Sequence, residues 1–331
     1  APPLLVLFLY RWLAFRVEFG AGLIKLRGDS CWRDLTCMDY HHETQPMPNP
    51  LSWWFHRLPR RLHRFEVLGN FFAQLVAPVL LFAPQPVGGL AALVMIGTQL
   101  YLVVSGNYAW LNWITIVIAA AAIPDQFIAL FAPALVPADA YAQTPVWYGA
   151  LVIGLTALVV VLSYQPVRNL MGKRQLMNYS FNQFHVVNTY GAFGSVTRER
   201  DEVVVEGTDE SVLLPTTQWR EYEFKGKPTD PRRMPPQVAP YHLRLDWLMW
   251  FLPFSPAYGE GWLYRFMERL LRNDGPTLGL LRRNPFPAEP PRFVRARFYR
   301  YHFATWRERR ASGVWWTREL LGDYLPPMRL R

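Results

Sequence analysis

The chain has 331 residues, 51% of them hydrophobic, a formal net charge of +10 and a mean hydropathy of +0.01. That average hides a split: residues up to about 163 hold long apolar runs and those after it are rich in Arg, Pro and Trp, which excludes one small soluble domain. The basic balance has no Lys-rich tract or nucleic-acid motif behind it, so it excludes a nucleic-acid binder and fits Arg paired with lipid phosphates and buried carboxylates.

A run of about 18 apolar residues is long enough to cross a bilayer. Five such runs occur, at 3–26, 65–82, 87–104, 109–131 and 145–163. The fourth contains Pro124 and Asp125, where it can end or break, and the fifth has no charged side chain. The expected fold class is an α-helical multi-span membrane bundle of about five spans, followed by a smaller β-rich α+β domain. The expected division is a bundle over 1–163 with a polar loop at 27–64, a connecting helix on the membrane surface over 164–194, and a β-rich extramembrane domain over 195–331 with inserted interfacial helices. The chain opens inside an apolar run, without an initiator Met or a basic stretch before a small-residue cleavage site, so no signal peptide is visible and an N-terminal portion is allowed for.

The first run carries Arg11, Arg16, Glu18 and Lys25. Arg11, Glu18 and Lys25 recur every seven positions and so share one helix face. Lipid rejects such a stripe, which points it into the bundle or a polar cavity. The competing reading has Arg11 and Lys25 reaching opposite interfaces while Glu18 pairs locally.

Residues 25–50 concentrate polar groups beside that run, and they supply most of the candidate site. Arg27, Asp29, Trp32, Arg33, Asp34 and Asp39, with His41, His42 and Glu43, form a candidate binding or structural network with Glu18. Arg244 and Asp246 offer similar partners from the second domain. Cys31 and Cys37, the only cysteines, have a C-x5-C spacing that matches neither a redox C-x-x-C nor a zinc ribbon. On one continuous helix they would stand too far apart to bond; in a loop they can close a bridge. A structural disulfide, buried thiols and a redox pair all stay open. His63 and Glu66 lie at i, i+3, but adjacent His41 and His42 cannot face one centre from a helix, so neither a metal nor any cofactor is expected. No phosphate loop, nucleophile elbow or dinucleotide fingerprint occurs.

Downstream, 195–206 reads as a β-hairpin around a charged cluster and 219–225 as a strand. Residues 228–240 form a proline-rich loop, and 241–252 suit a helix at a membrane interface. Residues 261–273 have an amphipathic helical pattern, with Leu263, Phe266, Met267, Leu270 and Leu271 on the apolar face. Strands are expected at 292–305 and 314–319.

The block from Arg27 to Pro50, read as RGDSCWRDLTCMD, HETQP and PNP, resembles the signature of the lipase maturation factor family. So do Gly20-Ala-Gly-Leu-Ile-Lys25, Ser105-Gly-Asn-Tyr108, Leu111-Asn-Trp113, Phe224-Lys-Gly-Lys-Pro228, Ala239-Pro-Tyr-His242, Arg244-Leu-Asp-Trp-Leu-Met-Trp250, Asn284-Pro-Phe-Pro287 and Trp315-Trp316. These stretches run in order over nearly the whole chain. The resemblance implies a multi-pass membrane factor that helps secreted lipases become active. The implied partners are a secreted lipase client and membrane lipids, with no nucleic acid. The implied location is the endoplasmic reticulum membrane in a eukaryote, or the inner membrane in a bacterium. It also implies a lumenal or periplasmic C-terminal region.

The charge pattern opposes that orientation. With five spans, the 27–64 loop and everything after about 164 face one side, and that side holds Arg27, Arg33, Arg57, Arg60, Arg61, Arg64, Arg168, Lys173 and Arg174. The positive-inside rule would make it cytoplasmic, but the rule weakens for folded loops and domains. The Lys25 context is also similar, over a short stretch, to vitamin K-dependent γ-carboxylases. That similarity implies an intramembrane lysine base and keeps a membrane enzyme, using Lys25 or the cysteine pair, as the alternative to a chaperone. A lipid-binding protein is the second alternative.

Overall fold

The computed structural model describes residues 3–136 and 144–330. In chain order the first helices are α1 (Leu4–Arg27), α2 (Ser30–Arg33), α3 (Met38–Thr44), α4 (Ser52–Phe55), α5 (Arg60–Phe71) and α6 (Ala77–Leu80). They are followed by α7 (Val87–Ser105), α8 (Leu111–Ala120), α9 (Asp125–Phe131) and α10 (Val146–Met171). Strands β1 (Arg200–Thr208) and β2 (Arg220–Glu221) come next. Then follow α11 (Arg244–Phe251), α12 (Leu263–Leu271), α13 (Gly275–Leu278), β3 (Phe293–Phe303), α14 (Trp306–Ser312) and β4 (Trp316–Met328).

Two compact units result, each built from separate stretches. The first takes residues up to Asp39, Leu58–Val103 and Leu111–Val196; the second takes Tyr40–Arg57, Val104–Trp110 and Thr197 onward. The 27–64 loop is thus shared out between the units and does not form one element.

In the first unit, α7 and α10 are long and apolar enough to cross a membrane. Both leave apolar side chains exposed, among them Leu90, Leu93 and Leu100 on α7 and Leu151, Ile153, Val160 and Val161 on α10. The interior is built from small residues, with Ala14, Ala77, Ala91, Ala92, Ala119 and Ala122 around Leu81 and Met95. Small side chains let helix backbones approach closely, as in membrane bundles.

Two of the expected continuous runs are interrupted. The run at 65–82 divides into α5, a π-helical turn at Phe72–Val76 and the short α6. Pro78 explains the break, because it has no N–H for the carbonyl four residues back and its ring crowds that turn. The run at 109–131 divides into α8 and α9, with Pro124 immediately before α9. The helix expected over 164–194 is also absent: α10 runs on to Met171, with Pro166 inside it, and from Gly172 to Glu199 the chain is irregular. Side-chain hydrogen bonds shape that stretch. Asn169 bonds both backbone groups of Leu176 and Asn178 donates to the Gly191 carbonyl, while Asn178, His185, Val187 and Phe193 take left-handed backbone angles.

The second unit is organised by an antiparallel sheet with strand order β2-β1-β3-β4. The hairpin expected at 195–206 is a single strand, β1, whose long partner is β3, with Val203 opposite Phe298. β4 runs well past the expected 314–319. Alternation divides β1 between two cores: Val203 and Val205 join Tyr222, Phe224, Met249 and the apolar face of α12, while Val204 joins Trp53, Tyr301, Phe303 and Trp316. The five apolar residues read from the sequence of α12 are the five it buries.

Candidate functional site

Lys25 and Glu18 lie on one face of α1, 5% and 3% exposed, so the stripe does turn into the unit at these two positions. Lys25 Nζ donates to Asn70 Oδ1 and Gln74 Oε1, each at 2.9 Å, and sits 4.9 Å from the Trp32 ring centre. Gln74 Nε2 donates to Glu18 Oε2 at 3.0 Å. Gln99 donates to the other Glu18 oxygen and itself accepts from Asn112 Nδ2 at 2.7 Å. A buried polar chain therefore runs Asn70–Lys25–Gln74–Glu18–Gln99–Asn112, with groups from α1, α5, the π-helical turn, α7 and α8. Its four amides were missed in the sequence reading; their signal was an amide inside an otherwise apolar run. Arg11 does not join the chain.

The stretch after α1 is a tight knot. Cys31 and Cys37 are disulfide-bonded, with Cα atoms 4.8 Å apart. One continuous helix would forbid this, but α2 ends at Arg33 and Leu35 turns the chain with φ of 59°. Asp29 caps α2, accepting from Cys31 N at 3.0 Å, and its backbone N–H donates to the Gly194 carbonyl at 2.8 Å. The Trp32 indole donates to the Phe193 carbonyl at 2.9 Å. Arg33 donates to the carbonyls of Leu26 and Gly28, at 3.0 and 3.2 Å, and among the described residues not to a carboxylate. Arg27 reaches Gln175, Asp34 closes α2 at the surface, and Asp39 pairs with His63 at 2.8 Å. The expected network of Asp29, Arg33, Asp34 and Asp39 is thus not brought together as one cluster. In so short a turn, backbone groups are the nearest partners.

The rest of the signature lies in the second unit. His41 shares a 2.7 Å hydrogen bond with the Tyr108 hydroxyl, and His42 stacks on Phe55. Glu43 accepts from Phe303 N at 2.6 Å and from His302 Nδ1 at 3.4 Å, with His56 at 3.8 Å. Burial opposes the Glu43 charge, but these donors outweigh it and hold the carboxyl below its usual range. The bond to Glu43 in turn raises His302.

Below this, fully buried Arg200 donates to the carbonyls of Glu43, Gln45 and Pro46, at 2.8, 2.5 and 3.1 Å, and to Glu202 at 2.6 Å. Lys227 pairs with the same Glu202 at 2.9 Å. Asp246 accepts from the backbone N–H groups of Gly226 and Lys227, at 2.6 and 3.0 Å; burial pushes its carboxyl up against the pull of those bonds. Arg244, two residues away on α11, is exposed and takes no part, since i and i+2 do not share a helix face. Arg200, Glu202 and Lys227 were missed as site residues; the charged cluster inside a valine-rich strand was the signal for the first two, and Lys227 lies outside that strand.

A family model for the lipase maturation factor transmembrane domain matches residues 1–130, and one for the lipase maturation factor C-terminal domain matches residues 186–326. The chain is 45% identical over 343 residues to Lipase maturation factor 1 of Bos taurus and 44% identical over 345 residues to that of Homo sapiens. Each match covers 98% of this chain and 61% of the relative. Lipase maturation factor 2 of Homo sapiens is 27% identical over 430 residues, with 98% and 60% covered. The chain thus spans about three fifths of the length of these curated relatives. No solved structure matches.

Proposed function

Because the chain belongs to the lipase maturation factor family, we propose that it is an integral membrane maturation factor, acting like a chaperone on secreted lipases. The observation that carries this is the match of both family domains, in order, along almost all of the chain. The geometry supports a scaffold. Lys25 and Glu18 are held by amides, Glu43 by a backbone N–H and two histidines, and Arg200 by three carbonyls and Glu202. Groups spent in this way position a surface, and exposed aromatics of the second unit, such as Tyr241, Tyr264 and Trp306, are suited to anchor a client.

We read five crossings: α1, α5 through α6, α7, α8 with α9, and α10. The exposed apolar faces of α7 and α10 support this, since in water they would cost the free energy that lipid removes. The Cys31–Cys37 disulfide supports placing the loop after α1, and with it the C-terminal domain, in an oxidising lumen. That is the endoplasmic reticulum lumen in a eukaryotic cell. The basic residues of 27–64 lie in folded segments, where the charge rule loses force.

Complementation tests the reading. Cells lacking their own factor express this chain, and secreted lipase mass and specific activity are measured. A rise in specific activity is expected; normal expression with no rise overturns the proposal. Lys25→Met run alongside should still rescue. Loss of rescue with normal folding would favour the enzyme alternative.

A further inference from the structure

α1 carries five charged side chains, and four of them have hydrogen-bond partners within the unit. Arg16 donates through its terminal nitrogen to the Asn188 carbonyl at 2.6 Å, although its Nε is buried without a partner, Lys25 donates to Asn70 and Gln74, Arg27 reaches Gln175, and Glu18 accepts from Gln74 and Gln99. Arg11 is the exception: among the described residues it has no hydrogen bond or ion pair, and its Nε is buried without a partner. It stands in a groove of about 360 Å³ whose other walls are Leu4, Leu7, Phe8 and Phe82. The Phe8 and Phe82 rings meet at 5.8 Å. A lone cation walled by hydrocarbon is costly unless an anion comes to it.

We propose that this groove is a binding site for one anionic phospholipid. The Arg11 guanidinium takes the phosphate, and Leu4, Leu7, Phe8 and Phe82 pack an acyl chain. The planar guanidinium fork matches two phosphate oxygens at once, which an ammonium does not do. The apolar walls supply what inorganic phosphate cannot use, and the unneutralised charge selects an acidic headgroup over a zwitterionic one that brings its own cation. The site is distinct from the Lys25–Glu18 chain, and no lipase enters the test, so its failure and that of the maturation reading are separable.

The full chain, purified in detergent and delipidated, is loaded with phosphatidylglycerol or phosphatidylcholine, and retained lipid is read by native mass spectrometry. Wild type is expected to retain phosphatidylglycerol selectively, and Arg11→Gln to lower that retention about tenfold. Arg11→Lys should retain an intermediate amount. Leu7→Trp fills the groove with the charge intact and should also lose the lipid, which keeps the test alive if Arg11→Gln folds poorly. Equal retention of the two lipids overturns the proposal. So does inorganic phosphate displacing the lipid at low millimolar concentration, or equal retention by wild type and Leu7→Trp. If a protein carboxylate occupies Arg11 instead, wild type holds no more lipid than Arg11→Gln, and the proposal falls.

Discussion

Lys25 and Glu18 are joined through a single amide. Gln74 accepts from the Lys25 ammonium at 2.9 Å and donates to the Glu18 carboxylate at 3.0 Å. Glutamine can do this because its side chain offers an acceptor and donors on one planar group. The arrangement supplies each buried group with a directed partner while tying α1 to the π-helical turn. The turn matters here, because it places Gln74 and Asn70 around the same ammonium.

Gln74→Leu therefore removes one partner from each of two buried groups and replaces it with hydrocarbon. The expected loss is about 2–5 kcal/mol, the range for orphaning buried polar or charged groups. Thermal unfolding of the purified chain in detergent would show it as a clear fall in Tm. Lys25→Met combined with Gln74→Leu should cost less than the sum of the two, since they share an interaction. Strict additivity would mean that the chain of bonds does not act as a unit.

Gly28 is a second point where the first unit tolerates no change. A Cβ there would stand 2.2 Å from the Gly194 carbonyl oxygen, which is backbone and cannot swing aside. Gly28→Ala should cost about 1–3 kcal/mol and open the 172–196 segment to protease. Gly69→Ala is the control: nothing lies within 4 Å of its Cβ position, and it sits inside α5, so alanine should raise stability by about 0.5–1 kcal/mol. Similar Tm values for both variants would contradict the close approach of the two backbones.

The disulfide closes a six-residue separation. Chain entropy for so short a loop gives roughly 2 kcal/mol of stabilisation. Cys31→Ser/Cys37→Ser should lower Tm accordingly yet still support lipase maturation once folded. Normal Tm with abolished maturation would instead assign the pair a chemical role.

What the sequence disclosed followed from periodicity and local chemistry. The apolar face of α12 and the strand β3 were legible because their patterns repeat at 3.6 and 2 residues. The inward stripe of Glu18 and Lys25 was legible because lipid has no use for charge. Their partners were not, because Asn70, Gln74, Gln99 and Asn112 approach from other helices and no spacing along the chain links them to α1. Pro78 was visible in the second run, but its consequence, a π-helical turn, depends on how the turn is accommodated in the packed helix. The single long β1 was misread as a hairpin because Arg200 and Glu202 look like turn residues. In the fold both are buried, and the Glu202 carboxylate is shared by Arg200 and Lys227, at 2.6 and 2.9 Å.

The Glu43–His302 contact gives the second unit a pH signature of definite sign. The folded Glu43 carboxyl lies below its ordinary value of 4.5, so its contribution is whole above that value and is lost as pH falls through the lower folded one. The folded His302 imidazole lies above its ordinary value of 6.5, so its contribution is whole below that value and is lost as pH rises through the higher folded one. Both contributions are present together only between the two. His56 also faces Glu43, and the charges of Arg300 and Glu199 act on His302, but the direct bond dominates the histidine shift. The His302 side chain is 52% exposed, so solvent screens the contact and the effect is modest. Tm measured against pH should show Glu43→Gln flattening both limbs, since the raised histidine depends on that carboxylate, whereas His302→Gln flattens the alkaline limb and only weakens the acid one, which Phe303 N–H and His56 still support. Curves for wild type and Glu43→Gln that run parallel across the acid limb would mean that the contact does not carry the charge in solution.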